Sequence, residues 1–311
     1  MKPTSKKETI KITQSTYNRI VNNNDIYVTK KPNKEIRSHY QKESKAIKQI
    51  YTHATGFSLI EILAAISIVG ILGCIIFGAV GELREQAQMT HEVAAGKTLI
   101  NGYLLHANDH QGKLMPGLDR TGGQPNNPVT HNGRSINFGE APHRYPWRLL
   151  PYLDDTLEGS ILLNGNDEQI IERFGAQGSM YDYGVSLIPA MGMNFHYLGG
   201  IRDSSGQMEI DLDEAITSLY NIDRPILAFA SAGASGIDLG LKEKLKGWHK
   251  ITSPDQMMWS NLPTGEESRP QDYGNIDTRY NNKAVCVFID GSVQALTIEE
   301  LRDTSLWKNN P

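Results

Sequence analysis

The feature that most constrains this chain is a long apolar run without charge. Glu61 is the last charged residue before nineteen uncharged positions, Ile62 to Val80. The segment 57–80 has twenty-four residues, which at about 1.5 Å per residue gives a helix of roughly 36 Å. Because a hydrocarbon core is about 30 Å thick, we expect this segment to be a transmembrane helix.

Glu61 interrupts the apolar character of this segment at its start. An ionised side chain inside a bilayer costs about 2.5 to 3.5 kcal/mol on insertion scales. An acidic residue at such a position therefore predicts a cationic partner, because pairing relieves the desolvation of both charges.

Charge divides the chain at the same place. Residues 1–56 hold 12 Lys+Arg against 4 Asp+Glu, which gives +8, and the other 255 residues hold 19 against 31, which gives −12. Positive charge before a single-pass span marks the cytoplasmic side, so we expect the acidic part to be extracytoplasmic. An acidic body also argues against a nucleic-acid partner, since such a protein needs a basic face.

We expect four regions along the chain. Residues 1–56 are polar and basic and are expected to be mostly disordered. After the span at 57–80, segment 81–110 is predicted to continue the helix with one apolar face, because apolar residues recur there at spacings of three and four: Met89, Val93, Ile100, Tyr103, Leu104 and Ala107. Residues 111–311 are expected to form a globular domain.

The pattern after residue 110 predicts an α+β fold, in which the long N-terminal helix packs on a mainly antiparallel sheet. Asp290-Gly291 is a strong hairpin signal, and Thr297 with Glu300 matches a capping box. The other expected elements are a surface loop at 111–146, a helical turn at 146–153, a helix at 167–174, strands at 192–199, 225–231, 283–289 and 292–296, and a final helix that ends near 303.

Few residues suggest chemistry. His106 and His110 are one helical turn apart, but the glutamate that usually follows the first histidine of a zinc-binding pair is Ala107 here, so a structural or solvent-facing pair is the simpler interpretation. Asp272 and Asp277 could join a calcium site, with a solvated loop as the simpler interpretation.

The remaining signals also give no catalytic site. Cys74 and Cys286 are about 200 positions apart and are expected to be small buried hydrophobic side chains without a mutual disulfide. No phosphate-binding loop, dinucleotide fingerprint or nucleophile turn is present. We therefore expect no catalytic residue, no cofactor and no metal, and the chain is not expected to be an enzyme.

The order Gly56-Phe57-Ser58-Leu59-Ile60-Glu61 before the apolar run closely resembles the processing site of type IV pilins and type II secretion pseudopilins. The resemblance implies that a membrane peptidase cuts between Gly56 and Phe57 and that Phe57 becomes an N-methylated terminus. It also implies that Glu61 pairs with the Phe57 amine of a neighbouring subunit during assembly. An ordinary signal anchor is the simpler alternative for this segment.

The family resemblance implies a structural role in a type IV pilus or a type II secretion pseudopilus. The implied partners are the prepilin peptidase and methylase, sibling subunits, the inner-membrane assembly machinery and membrane lipid. The size of the domain favours a minor or tip subunit. Four glycines within the helix have two interpretations, close helix packing or a stretch that loosens during assembly: Gly70, Gly73, Gly78 and Gly81.

The C-terminal part resembles large pilin-like proteins that end in a histidine, nine residues and Asp-Gly. Ten positions before Asp290 stands Tyr280, so the histidine is replaced and its role cannot be transferred. A second hypothesis is a membrane-tethered extracytoplasmic enzyme or binding domain that uses a pilin-type export signal.

Overall fold

A computed structural model describes residues 57–209, 214–236, 243–262 and 268–309, without the side chains of 75–79. The predicted leader, residues 1–56, lies outside the described residues. The chain divides into two compact units, an N-terminal unit that ends at Gly73 and a C-terminal unit that begins at Cys74.

The fold is α+β with a mostly antiparallel sheet, as the sequence predicts. The helices are α1 (Leu59–Asp109), α2 (Tyr145–Leu149), α3 (Asn166–Phe174), α4 (Ser179–Leu187) and α5 (Ile298–Leu301). The strands are β1 (Leu118–Asp119), β2 (Thr130–His131), β3 (Arg134–Ser135), β4 (Met191–Met193), β5 (Ile201–Arg202), β6 (Leu227–Ser231), β7 (Lys283–Phe288) and β8 (Val293–Thr297).

Four of these strands form the main sheet of the C-terminal unit, in the order β4-β6-β7-β8 with every neighbouring pair antiparallel. Both faces of the sheet are covered. Val285 and Val287 of β7 belong to the cluster that includes Tyr103 of α1, whereas Cys286 and Phe288 belong to a second cluster on the other face. Burial on both faces explains why β7 is an uninterrupted apolar run rather than an alternating one.

The predicted apolar face of the helix is confirmed within the C-terminal unit. Leu99, Ile100 and Tyr103 are completely buried in the main cluster, and Met89 and Val93 pack against it. The hydroxyl of Tyr103 donates a hydrogen bond to the carbonyl of Met115 at 3.0 Å, so the helix is also tied to the chain that follows it.

The second cluster contains C-terminal residues that the sequence patterns did not assign to the core. The indole of Trp307 is completely buried and donates to the carbonyl of Leu301 at 2.8 Å. Its ring meets that of Trp259 edge to face, with centroids 5.8 Å apart. The last described turn of the chain therefore closes the face of the sheet opposite α1.

Several local predictions are confirmed. The Asp290-Gly291 turn joins β7 to β8, and the carboxylate of Asp290 accepts the backbone N–H of Ser292 at 2.9 Å. Thr297 and Glu300 form the expected capping box at the start of α5. The helical turn near 146–153 is also present, and Trp147 is buried as expected.

The prediction of a plain surface loop at 111–146 is wrong. Met115 and Ile136 are buried in the main cluster, and β1 pairs in parallel with the distant β5. Because this pairing joins residues more than 80 positions apart, local composition could not reveal it.

The predicted strand 192–199 is also wrong beyond Met193. The side-chain amide of Asn194 donates to the carbonyls of Leu227 and Trp307, at 2.8 and 3.2 Å. The chain then turns, with the Leu198 N–H bonded to the Asn194 carbonyl. A polar side chain that satisfies neighbouring backbone groups thus ends the strand.

Two other expectations concern the N-terminal part of α1. Cys74 is exposed rather than buried, whereas Cys286 is buried as expected, and both are free thiols. Among the described residues, no helix combines the length and the apolar character needed to cross a membrane. The expected span at 57–80 includes 75–79, whose side chains lie outside the described residues.

Candidate functional site

The expected processing site lies at the boundary of the described residues. Gly56 lies outside them, and Phe57 is the first described residue, with 84% of its surface exposed. The structure therefore describes only the Phe57 side of the expected Gly56–Phe57 cleavage position.

Glu61 has a local role that the sequence patterns did not reveal. Its carboxylate accepts the backbone N–H of Ser58 at 2.8 Å, while the Ser58 hydroxyl accepts the N–H of Glu61 at 3.2 Å. This is the reciprocal bonding of a capping box, with Ser58 just before the first helical residue. The signal was readable, because Ser58-Leu59-Ile60-Glu61 has the required spacing. One oxygen of Glu61, Oε1, has no hydrogen bond among the described residues.

The N-terminal unit exposes apolar side chains on every side of the helix. Their exposed fractions lie between 52% and 79%, although large apolar side chains in a soluble protein are normally mostly buried. Contiguous exposed apolar surface of this kind marks a site of interaction with protein or lipid. The residues are Leu59, Ile60, Ile62, Leu63, Ile66, Ile68, Val69, Ile71 and Leu72.

Glycines in the first part of α1 have no packing role within the chain. A Cβ atom added at Gly70, Gly73 or Gly81 would meet nothing within 4 Å. Glycine in a helix interior costs about 1 kcal/mol relative to alanine. Because no intrachain contact requires these glycines, close packing within the described residues does not explain them.

Glycines further along α1 are different. A Cβ at Gly96 would lie 2.5 Å from a methyl group of Val287, and one at Gly102 would lie 2.6 Å from Leu153 and 2.9 Å from the Tyr152 carbonyl. In this part of the helix, glycine permits close approach to the sheet and to the segment after α2.

A buried polar network lies where α1 meets the sheet. Glu92 is completely buried, and its carboxylate accepts the Ser231 hydroxyl at 2.6 Å, the Asn164 amide at 3.3 Å and the hydroxyl of Tyr280. The Ser231 hydroxyl in turn accepts the N–H of Val285 at 2.8 Å. The network thus joins α1 to β6, to β7 and to the turn that precedes β7.

The charge of Glu92 is balanced by a buried cation. A guanidinium nitrogen of Arg279 lies 3.7 Å from the Glu92 carboxylate, and another lies 3.2 Å from Asp277. Asp277 is also paired with Lys244. Arg279 thus compensates Glu92 and Asp277 for their removal from water, and the half-exposed Lys244 pairs with Asp277 from the outside.

The network raises the pKa values of Tyr280 and Arg279. Burial and the neighbouring Glu92 raise the pKa of Tyr280 well above its ordinary value, so the phenol remains a donor. Burial alone lowers the pKa of Arg279, but Glu92 and Asp277 outweigh it and raise the pKa. Arg279 therefore remains positively charged.

Tyr280 is the residue that replaces the histidine of the C-terminal motif. In this chain the position supplies a hydrogen-bond donor to Glu92, and Asn164 donates to the same hydroxyl at 2.7 Å. Sequence reasoning missed this contact, although one signal was available: Glu92 lies three positions after Met89, on the apolar face of α1. A charge on an apolar helical face indicates a buried partner.

The arrangement is suited to holding elements together. Glu92 and Ser231 are both completely buried, so a substrate cannot reach them while α1 is packed on the sheet. Asp272 and Asp277 do not converge on a common position as cation ligands. Asp272 pairs with Arg269, whereas Asp277 is buried with Arg279 and Lys244, which corrects the expectation of a solvated loop.

His106 and His110 lie together at the end of α1. Their rings are stacked with centroids 4.1 Å apart, and Nδ1 of His110 lies 2.8 Å from the His106 carbonyl. Among the described residues, no group of three or more His, Cys, Asp or Glu side chains is arranged to hold a metal ion.

No family model, curated protein or solved structure matches this chain.

Proposed function

We propose that the chain is a prepilin-like structural subunit that assembles through its N-terminal helix into a type IV pilus or a type II secretion pseudopilus. The observation that carries the proposal is the exposed apolar surface of residues 59–72. Such a surface requires a lipid or protein partner. The residue order from Gly56 to Glu61 supports a filament subunit over an ordinary anchor.

The proposed life cycle begins in the inner membrane. Segment 57–80 spans the bilayer once, the basic leader remains cytoplasmic, and the acidic domain lies on the other side. The charge difference, +8 for residues 1–56 and −12 for the rest, supports this orientation. The prepilin peptidase then removes residues 1–56 and the Phe57 amine is methylated, after which the assembly machinery inserts the subunit among its siblings.

Glu61 is proposed to set the register between subunits. Its Oε2 accepts the Ser58 N–H, which holds the carboxylate at the start of the helix. The other oxygen is available for the Phe57 ammonium of a sibling subunit. Pairing two otherwise isolated charges in an apolar environment is strongly favourable relative to leaving either charge alone.

The glycines of the first part of α1 are proposed to contact sibling helices. Small residues allow close approach of helix backbones in an apolar environment. The open space around Gly70, Gly73 and Gly81 in the single chain supports a role between chains rather than within one.

The N-terminus of the protein from the cell envelope tests the proposal. Mass spectrometry of the full-length gene product should find chains that begin at N-methylated Phe57. A Gly56→Leu variant, in which a bulky side chain stands at the cleavage position, should retain residues 1–56. Recovery of only the intact chain beginning at Met1, from wild type and variant alike, would contradict the proposal and favour a simple anchor.

One observation favours the second candidate, a membrane-tethered binding domain. A polar cleft lies in the C-terminal unit near the end of α1. Binding there is compatible with assembly through the N-terminal helix, because the cleft is built from residues between 106 and 206.

A further inference from the structure

A cleft of about 580 Å³ lies between the end of α1, the chain after it, α2 and the region around β5. We propose that this cleft binds a small organic anion that carries a carboxylate or a phosphate group. The proposal concerns the C-terminal unit alone and does not depend on filament assembly.

The charge of the cleft supports an anionic ligand. Three cationic side chains line it, Lys113, Arg148 and Arg202, against one carboxylate, Asp119. Asp119 is already neutralised, because it accepts a hydrogen bond from Arg202 at 3.1 Å. The described lining therefore has two cations in excess, those of Lys113 and Arg148.

The excess of positive charge is confined to the cleft and is not a property of the whole domain. Residues 57–311 hold 19 basic and 31 acidic side chains, so the domain as a whole repels anions. A positive cleft on an acidic body must attract its ligand at short range. This favours a specific small anion over a long polyanion, which would meet the surrounding negative charge.

Arg148 is fixed in position by backbone carbonyls rather than by a direct ion pair. Its guanidinium donates to the backbone carbonyls of Pro116 and Gly117, at 2.6 and 3.1 Å, and these carbonyls carry no net charge. Burial lowers the pKa of Arg148 to about 10; the nearby Asp119 acts in the opposite direction and Arg202 in the same direction, and Arg148 remains a cation at neutral pH. A partly desolvated cation that is held rigidly by backbone carbonyls is well prepared to bind an oxyanion.

Lys113 is the adaptable cation. It is exposed at the cleft, and its ammonium group makes no hydrogen bond or ion pair with the described residues. A flexible lysine beside a fixed arginine can adjust to anions of different size.

His106 provides a third argument. Its Nδ1 is buried and has no hydrogen-bond partner among the described residues, which is uncommon for a buried polar atom. Burial, followed by His110, Arg148 and Arg202, lowers the pKa of His106 to about 4. An anion in the cleft would offset these positive neighbours and allow the imidazole to take up a proton at higher pH.

Other polar groups of the lining are already arranged by hydrogen bonds. The Thr121 hydroxyl donates to Asp119 at 2.6 Å and accepts the amide of Asn127 at 2.8 Å. A wall with fixed hydroxyl and amide groups suits a ligand that has polar substituents in addition to its charge.

Calorimetric titration of the purified full-length chain tests the proposal. Inorganic phosphate and citrate are the two probes, each at constant ionic strength maintained with sodium chloride. Saturable binding of either probe is expected, and the stronger probe identifies whether phosphate or carboxylate is the preferred group. Absence of saturable binding by both probes would overturn the proposal.

Matched lysine variants locate the binding site. Lys113→Gln should raise the dissociation constant about fivefold, because one charge-assisted contact is lost. Lys113→Arg should restore most of the affinity. Lys97→Gln, on the exposed side of α1, should bind like the wild type. Equal losses in the Lys97 and Lys113 variants would show only a general charge effect and would overturn the assignment.

The titration of His106 by NMR provides an independent readout. The groups that face it are His110 on α1, Tyr152, Arg148 and Arg202, with Lys113 also at the cleft. A saturating probe should raise the pKa of His106 by about one unit or more, because an added negative charge favours the protonated ring. An unchanged pKa under saturating probe would place the anion elsewhere and contradict the site.

Discussion

Two glutamates on the same helix, Glu61 and Glu92, show how position decides the role of a carboxylate. Glu61 is exposed and caps the start of α1 through Ser58. Glu92 is completely buried and lies between Ser231, Tyr280 and Arg279. One oxygen of Glu61 has no hydrogen bond among the described residues, whereas both oxygens of Glu92 accept hydrogen bonds.

Variants at Glu61 separate its charge from its capping role. Glu61→Gln retains an oxygen that can accept the Ser58 N–H but removes the charge, and Glu61→Ala removes both. If the carboxylate pairs with a sibling amine, both variants should be cleaved after Gly56 and both should be poorly incorporated into filaments. The measurement is the fraction of processed chain in the sheared filament pellet.

Ser58→Ala is the matched control for these variants. It removes the other half of the capping box, at a cost of about 0.5 to 2 kcal/mol of helix stability, and leaves the charge of Glu61 in place. It should therefore assemble better than either Glu61 variant. Normal assembly of Glu61→Gln would mean that the cap, and not the charge, is what filaments need.

Tyr280 is expected to make the free energy of unfolding depend on pH in the alkaline range. Its pKa in the folded chain is raised above the ordinary value of 10.0. Below pH 10 the phenol keeps its proton in both states, so the stabilisation is fully present. Above pH 10 the unfolded chain loses that proton more readily, so the free energy of unfolding should fall by up to about 1.4 kcal/mol per pH unit.

Urea unfolding between pH 8 and pH 11 measures this effect. Tyr280→Phe should be less stable than the wild type at pH 8 by about 1 to 2 kcal/mol, because Glu92 and Asn164 lose a partner. Above pH 10 the free energy of unfolding of Tyr280→Phe should fall less steeply than that of the wild type. Tyr220→Phe, at an exposed tyrosine, is the control, and an identical alkaline slope in wild type and Tyr280→Phe would argue against the raised pKa.

At the scale of elements, α1 has two kinds of surface. The large apolar side chains within 59–72 are exposed, and a Cβ added at Gly70 would meet nothing within 4 Å. In the C-terminal unit, the same helix buries one face against the sheet and uses glycine for close approach. Alanine variants of these two kinds of glycine can therefore test which surface of α1 packs within the single chain and which is available to another chain.

Gly70→Ala and Gly102→Ala form a matched pair on α1. Gly102→Ala places a Cβ 2.9 Å from the Tyr152 carbonyl and should lower the free energy of unfolding by about 1 to 3 kcal/mol. Gly70→Ala meets nothing within 4 Å and should leave unfolding unchanged or raise its free energy by up to about 1 kcal/mol.

Gly70→Ala and Gly102→Ala should also differ in their incorporation into filaments. If sibling helices pack at Gly70, its alanine variant should be incorporated less well into filaments despite normal folding. Thermal unfolding and the filament pellet assay give the two readouts. Incorporation of Gly70→Ala at the wild-type level would contradict packing of sibling helices at this glycine.

At the scale of the whole molecule, charge and burial support separate tasks for separate regions. A basic N-terminal segment, an apolar segment and an acidic remainder follow one another along the chain, and this order is readable from the sequence alone. Within the C-terminal unit, the sheet separates a cluster that contains α1 residues from one closed by Trp307. The cleft lined by Lys113, Arg148 and Arg202 departs locally from the acidic character of that domain.

Local signals predicted the elements that depend on neighbouring residues. The apolar face of α1, the Asp290-Gly291 turn and the cap at Thr297 were predicted because their causes lie within about seven positions. The helix α4 was missed, since Gly184 within it weakens the helical pattern. Packing against α3 stabilises α4 instead. Gly184 permits this close approach, since a Cβ at that position would lie 2.5 Å from the Phe174 ring.

The sequence alone determined the α+β character, the apolar start of α1 and the division of charge, since each of these depends on composition or on short repeats. Tertiary structure decided the partners of Glu92, the pairing of β1 with β5 and the convergence of Lys113, Arg148 and Arg202. These contacts join residues that are tens to nearly two hundred positions apart. Only the closing of the chain on itself brings such residues together, and no local pattern records which of them will meet.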